Sequence, residues 1–349
     1  MAKEKQQLTV FEEKRKTLIK KIIAVMGLVM IVAIAVVLAV MAFDKYKSEK
    51  YLESYGETAL RVGSYDMDYG MYRCRYLNYR DEYIREYTEN GVTDTAALDS
   101  FIRACVADDA RYTYAKISLA ADYGYSLTSA DVVAIADTYA EAMKDYCETN
   151  KMDFEETLAA GYMDEEIFTF SLRVMALEDV LRTALISDGG EIEDNDEKLL
   201  EIFKGDEMIH VKSVFIENDD GEDIEENRRI AEEVIEKYKG GTEFNKLIGN
   251  YSEDVYGDYY MTRGEKADAY DTAAFSLDDG EISDVVVAPD GFYVILRAAK
   301  DEEYIENNFE TLKSQYQAVR LKEKIEARMN SFSVVETEFL RGLSYGEIE

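Results

Sequence analysis

The sequence predicts an α+β protein with a single N-terminal transmembrane helix. Three observations lead to this fold class: an uncharged apolar run near the N-terminus, helical periodicity up to about residue 186, and a mixture of short strand and helix patterns after it. The chain has 349 residues, which suggests about two folded domains. We divide it into a basic tail (1–21), a transmembrane helix (22–43), an all-helical domain (44–186), a linker (187–206), an α+β domain (207–299), and a C-terminal helix with a tail (300–349).

The composition is strongly acidic and rich in tyrosine. Asp and Glu total 73 against 40 Lys and Arg, which gives a formal net charge of -33. This charge argues against nucleic-acid binding, because such proteins neutralise phosphates with Lys and Arg. Hydrophobic residues make up 47%, and 27 residues are Tyr, so the chain can bury a core. His210 is the only histidine, and no glycine-rich phosphate loop is present, so we expect neither a metal nor a cofactor.

The apolar run from Ile22 to Phe43 contains no charged residue. At 1.5 Å per residue it is about 33 Å long, which is enough to cross the hydrocarbon core of a membrane. Seven basic residues precede it, whereas basic and acidic residues are mixed after it. The positive-inside rule therefore predicts a single-pass protein of the cell membrane, with a cytoplasmic N-terminus and extracytoplasmic C-terminal domains. A cleavable signal peptide is the alternative, although its apolar region is usually only about 7–15 residues long.

Periodicity predicts that the segment 44–186 is entirely helical, with residues 44–60 continuing the helix of the anchor. Six tyrosines between Tyr69 and Tyr87 are spaced by three or four residues, so they share one helix face. Two interpretations remain open for this stripe. It faces the core, or it offers an adaptable surface for unfolded peptide, since Tyr provides a large contact area at low entropic cost.

After the linker, the pattern changes to short strands and helices. A strand is predicted at 208–216, a helix around 230–238 and another at 244–251. Two further strands are predicted at 282–287 and 292–297, and a short helix at 197–203 precedes the first strand. A long amphipathic helix is predicted over 302–332.

Residues 209–299 resemble a parvulin domain, the rotamase module of foldases of the SurA and PrsA type. The resemblance rests on four pieces of sequence. They are the first strand (VKSVFI), the stretch YKGGTEFNKL at 238–247, the stretch NYSED at 250–254, and the closing signature of AAFSL, GEIS and GFYVI between residues 273 and 295. Residues 62–186 resemble the N-terminal chaperone region of SurA more loosely, and match best at 121–131.

The resemblance implies which residues would carry prolyl isomerisation. The family uses two histidines with an acidic residue or Cys between them. The first histidine falls on Ser213 and the second on Tyr293, while the acid is kept as Asp254. We expect these three side chains to form a hydrogen-bonded group. His210 lies three residues before Ser213, so it should point to the opposite face of the strand.

The resemblance also implies a slot for the proline ring. Its aromatic wall falls on Tyr270 and Phe275, and a position that is Met in some members falls on Lys266. Phe292, in the closing signature, completes the predicted substrate-binding set. The chain departs from the family at 257–261 (GDYYM), where members usually carry a longer glycine-rich loop.

Three functions follow as expectations. The first is a membrane-tethered folding factor that holds unfolded or newly exported polypeptides without ATP. The second is an active peptidyl-prolyl isomerase that uses the slot around Tyr270. The third is a non-catalytic scaffold that docks one membrane partner. The sequence leaves the oligomeric state open.

Overall fold

A computed structural model describes residues 54–89, 94–187, 190–218, 224–254, 256–288 and 290–348. These residues form two compact units. The first takes the described residues of 1–85, 93–180 and 328–349, and the second takes those of 86–92 and 181–327. The predicted transmembrane segment 22–43 lies outside the described residues. Among the helices that are described, none is both long enough and apolar enough to span a bilayer.

The first unit contains a three-stranded antiparallel sheet. Its strands are β1 (Thr58–Val62), β2 (Tyr65–Asp68) and β7 (Val334–Glu336), in the order β2-β1-β7. Gly63 has φ +59° in the tight turn between the first two strands, a conformation that glycine adopts at low cost. This sheet corrects the prediction of an all-helical domain and of a helix that continues to residue 60, while residues 44–53 of that predicted helix lie outside the described residues. The pairing of β1 with β7 joins residues that are more than 270 positions apart, which a local pattern could not reveal.

The helices predicted between residues 69 and 186 are present. In the tyrosine stripe, Tyr69, Tyr72 and Tyr76 are 4%, 0% and 0% exposed, so the core-facing interpretation is confirmed for these three. The side chain of Tyr87 is not described. The helices are α1 (Tyr69–Glu89), α2 (Thr95–Asp122), α3 (Ala130–Thr149), α4 (Phe154–Ala160) and α5 (Glu165–Ile186), and the short α12 (Glu338–Arg341) follows β7.

The second unit is built on a four-stranded antiparallel sheet of β3 (Met208–Glu217), β4 (Asp258–Thr262), β5 (Val286–Ala288) and β6 (Gly291–Ala298), in the order β4-β3-β6-β5. The strand at 258–262 was not predicted, and the strand predicted at 282–287 is shorter and begins at Val286. The short helix predicted at 197–203 is present within the segment 187–206 that was assigned as a linker. The helices around the sheet are α6 (Asp196–Lys204), α7 (Ile224–Lys239), α8 (Phe244–Tyr251) and α9 (Asp268–Ser276).

Side chains alternate between the two faces of this sheet, as they do along any strand. One face packs against α7 and α8, and its buried cluster includes Val214, Phe292 and Val294. The other face packs against α9, and its buried cluster includes Val211, Ile295 and Tyr270. The alternation therefore places residues 213 and 293 on the α9 face, and residue 292 on the opposite face.

The long helix predicted at 302–332 is interrupted at Asn308. It forms α10 (Glu302–Asn307) and α11 (Phe309–Met329). Asp301 caps the first of them, because its Oδ1 accepts from the backbone N of Glu303 at 2.9 Å. The two helices pack with α6 over one end of the sheet. Their shared buried cluster consists of Leu199, Phe203, Met208, Tyr260, Ile305, Leu312 and Tyr316.

Candidate functional site

The candidate site lies on the α9 face of the second sheet, beside β3. The segment after α8 runs along β3 beyond the point where β4 pairs with it. The backbone N of Ser213 donates to Gly257 O at 2.7 Å, and the backbone N of Phe215 donates to Ser252 Oγ at 3.1 Å. The backbone N of Glu253 donates to Phe215 O at 3.0 Å. These bonds hold the loop that carries Asp254 next to the C-terminal half of β3.

Three tyrosines fill the centre of the site, and we call them the tyrosine cluster: Tyr259 on β4, Tyr270 on α9 and Tyr293 on β6. The hydroxyl of Tyr259 donates to that of Tyr270 at 2.6 Å. The rings of Tyr270 and Tyr293 meet edge to face, with centroids 5.1 Å apart. Tyr293 also stacks on Phe215 at 4.6 Å. Aromatic pairs at these distances are stabilising, so the cluster is a packed unit.

Burial sets the chemistry of the cluster. Tyr270 is 2% exposed, and this burial raises the pKa of its phenol well above the ordinary value. Burial is also the largest cause that raises the pKa of Tyr293, followed by its hydrogen bond to Asp290. Both hydroxyls are therefore protonated at neutral pH and act as hydrogen-bonding groups.

Ser213 is placed at the cluster as predicted, but it is sealed from solvent. It is 1% exposed, and among the described residues its Oγ has no partner in good hydrogen-bond geometry. The nearby Ser213 hydroxyl lowers the pKa of the Tyr270 phenol, although burial of Tyr270 raises that pKa by more. A buried hydroxyl with no strong partner is costly by roughly 1–3 kcal/mol, so this position is not optimised for stability.

The predicted hydrogen-bonded group of Ser213, Asp254 and Tyr293 does not form. The Tyr293 hydroxyl donates to Asp290 Oδ2 at 2.7 Å instead. Asp254 Oδ1 accepts from the backbone N of Tyr256 at 2.9 Å, so this carboxylate caps its own loop. Asp side chains commonly accept a hydrogen bond from the backbone N–H two residues further along the same loop. The catalytic assignment of the three residues stays a prediction.

The predicted substrate-binding residues divide into two sets. Tyr270, Phe275 and Lys266 lie on the α9 side, and cations cover two of the rings there. The Arg263 guanidinium is 4.1 Å from the ring centroid of Phe275, and Lys266 Nζ is 4.8 Å from that of Tyr259. Phe292 is 3% exposed within the cluster against α7 and α8. Its assignment to the site is wrong, because it lies on the other face of the sheet.

His210 points away from the tyrosine cluster, as predicted. Its ring stacks on Tyr260 with centroids 4.5 Å apart. Its Nε2 lies 2.7 Å from Asp258 Oδ1, and its Nδ1 lies 2.9 Å from Ala299 O. The histidine is therefore fixed on the opposite face and is not available to replace either of the absent family histidines.

Sequence reasoning missed Tyr259 as a member of the site. The signal for it was present, because the stretch 257–261 carries bulky residues where the resembled family has a glycine-rich loop. The ring of Tyr259 reaches Tyr270 and thus occupies the space between β4 and α9. The consequence is a site whose centre is filled by its own side chains.

Comparison with known proteins agrees with the fold of the second unit. The profile of the PPIC-type PPIase domain matches residues 197–301. The antiparallel sheet, its helices and the position of the site on β3, β6 and α9 all fall within that range. These residues form a parvulin-type domain.

The relatives are foldases. The chain is 26% identical over 194 residues to the foldase protein PrsA of Oceanobacillus iheyensis, which covers 50% of this chain and 62% of the relative. It is 29% identical over 129 residues to PrsA of Bacillus subtilis, which covers 35% of this chain and 41% of the relative. The chain is therefore similar in sequence to PrsA foldases over part of its length. It spans less than two thirds of the length of these curated relatives.

Solved structures of the same kind align with much of the chain. The foldase PrsA of Streptococcus pneumoniae is 21% identical, covers 73% of this chain and 88% of its own, and gives a TM-score of 0.33. PrsA of Bacillus anthracis is 18% identical, covers 62% and 94%, and gives the same TM-score of 0.33. Because both scores are below 0.5, the fold assignment rests on the topology and on the sequence match.

Proposed function

We propose that this chain is a membrane-tethered protein-folding factor whose parvulin-type domain binds polypeptides and does not isomerise prolyl bonds. One observation carries the proposal: Tyr259, Tyr270 and Tyr293 pack against one another, at positions where the family resemblance implies the wall of the proline slot and the second histidine. Isomerisation must lower a barrier of about 18–20 kcal/mol by favouring the twisted amide. That requires a proline ring to enter the site, and Tyr270 is 2% exposed there.

The clients would be unfolded or newly exported polypeptides. The PPIC-type match and the foldase relatives support this assignment. Residues 22–43 would anchor the chain, with the N-terminus in the cytoplasm and both units outside, as the charge asymmetry predicts. The acidic chain would favour clients with basic segments, since a net charge of -33 attracts cations over distances near the Debye length.

A second candidate is an active isomerase, which the match to the PPIC-type domain favours. In that case the tyrosine cluster would have to open, and Ser213, Asp254 and Tyr293 would act on the bound prolyl bond. This opening requires Tyr259 to leave its hydrogen bond with Tyr270. The two candidates therefore differ in whether the cluster is rigid, which can be measured.

The proposal predicts that the full chain suppresses aggregation. We expect the full chain, held in lipid nanodiscs at several-fold excess, to reduce light scattering from a reduced and unfolded model substrate. Empty nanodiscs at the same lipid concentration are the control. Unchanged scattering at that excess would count against a holding function.

A further inference from the structure

A cavity of about 360 Å³ lies beside the tyrosine cluster, within the second unit. Residues of the loop before β4, of β4 itself and of the turn after it form one wall. The helices α10 and α11 form the other wall. The residues that matter for its chemistry are Asp254, Tyr256, Tyr259, Glu265, Lys266 and Tyr304.

The helical wall is fixed to the sheet by hydrogen bonds. Gln315 on α11 donates from Nε2 to the Glu265 carboxylate, at 2.8 Å, and to Tyr260 O at 2.9 Å. The backbone N of Asp301 donates to the Tyr260 hydroxyl at 2.7 Å. Tyr304 stacks on Tyr260 almost in parallel, with centroids 4.8 Å apart. The cavity is therefore preformed between two fixed walls, as ligand sites commonly are.

Two aromatic rings in the lining are open to a ligand. Tyr256 is 72% exposed and Tyr304 is 44% exposed, although both are large apolar rings. The lining also carries two carboxylates, Asp254 and Glu265, against the single ammonium of Lys266. That ammonium already lies 4.8 Å from the ring centroid of Tyr259. Exposed tyrosine faces beside carboxylates attract cations, because the ring quadrupole and the negative charge act together.

We infer that this cavity binds a lysine or arginine side chain of a bound polypeptide, next to the tyrosine cluster. The inference rests on the proposed function, since it names the kind of client that the folding factor prefers. A guanidinium or ammonium group would lie against Tyr256 and Tyr304, and Asp254 would neutralise its charge. This gives Asp254 a part in recognition that does not depend on isomerisation.

The test compares two labelled peptides that differ only in charge. Both are short and extended, and one carries arginine before proline while the other carries citrulline, its neutral isostere. Binding to the full chain in nanodiscs is followed by fluorescence anisotropy. We expect the arginine peptide to bind about tenfold more tightly, which corresponds to about 1.4 kcal/mol.

Variants distinguish binding of arginine in the cavity from attraction to the overall negative charge of the chain. Tyr256→Ala and Asp254→Asn should each reduce the preference for arginine at least threefold, and Tyr256→Phe should restore it because the ring is kept. Asp284→Asn is the matched control, since it removes one exposed carboxylate of the same unit that does not line the cavity. It should leave the preference unchanged.

Each other outcome overturns the inference. Equal binding of the two peptides, or no binding of either, would show that the cavity does not take a cation. If the preference for arginine persists in Tyr256→Ala and Asp254→Asn, it comes from the overall negative charge of the chain and not from the cavity. If aggregation is still suppressed in these cases, the proposed function stands and only the assignment of the cavity fails.

Discussion

Replacing Tyr270 by alanine should lower the free energy of unfolding of the second unit by about 3–5 kcal/mol, the range for large aromatic truncations in a core. Tyr270 is 2% exposed and belongs to the buried cluster with Val211, Met261 and Ile295. Removing its ring leaves a cavity between α9 and the sheet, and it also leaves the Tyr259 hydroxyl without its acceptor. Hydrogen exchange of the β3 amides, measured by mass spectrometry on the full chain, reports the stability of this unit.

Tyr270→Phe is the matched control for that experiment. It keeps the ring and its edge-to-face contact with Tyr293, and it loses only the hydroxyl. We expect a loss of about 1 kcal/mol, typical of one hydrogen bond. If Tyr270→Ala lowers the free energy of unfolding by less than Tyr270→Phe does, the ring does not fill the core. An open proline slot at Tyr270 would then have to be reconsidered.

Replacing Gly291 by alanine should lower the stability of the same unit by about 2–3 kcal/mol, within the range for strained backbone positions. Gly291 begins β6 with φ +153°, and a Cβ there would lie 2.2 Å from Ile216 O. That oxygen belongs to the backbone of β3, so the two strands must separate locally. The bond between Asp290 and Tyr293 lies at this end of β6 and should be disturbed with it.

Gly249→Ala makes the same chemical change at a position where we expect the opposite effect on stability. Gly249 is exposed within α8, and a Cβ there meets nothing within 4 Å. Alanine is favoured over glycine in a helix by about 1 kcal/mol, so this variant should be slightly more stable. Chemical denaturation of both variants, followed by circular dichroism, gives the comparison. If both variants change the stability equally, the backbone around Gly291 can move away from the added Cβ at no cost.

The sequence predicted those elements whose signal is local. The helix at 244–251 and the strands around 208–216 and 292–297 are found near their predicted limits, because periodicity and flanking glycines mark them. The strands β1, β2, β4 and β7 were missed, since each has at most five residues. In addition, β4 and β7 pair only with strands that are distant in sequence. The break at Asn308 was missed because the amphipathic pattern continues through it.

The candidate site was predicted only in part. The family resemblance placed Ser213 and Tyr293 at one site, and alternation along β3 placed His210 on the opposite face. The structure has Ser213 and Tyr293 on the α9 face and His210 on the other. The same alternation excludes Phe292, which was included because it belongs to a conspicuous sequence signature. The partners of Asp254 and Tyr293 were missed, because the predicted group joined distant residues, whereas the bonds that form are to neighbours two and three residues away, Tyr256 and Asp290.

Exchange spectroscopy on a short X-Pro peptide tests most directly whether the tyrosine cluster excludes catalysis. The full chain in nanodiscs is added in catalytic amount, its folded state is verified by its amide spectrum, and a parvulin with both histidines serves as the positive control. We expect cis–trans exchange to remain at the uncatalysed rate, with time constants of tens to hundreds of seconds. Exchange that is accelerated by the wild type and lost in Ser213→Ala would contradict this and show that the domain is an isomerase.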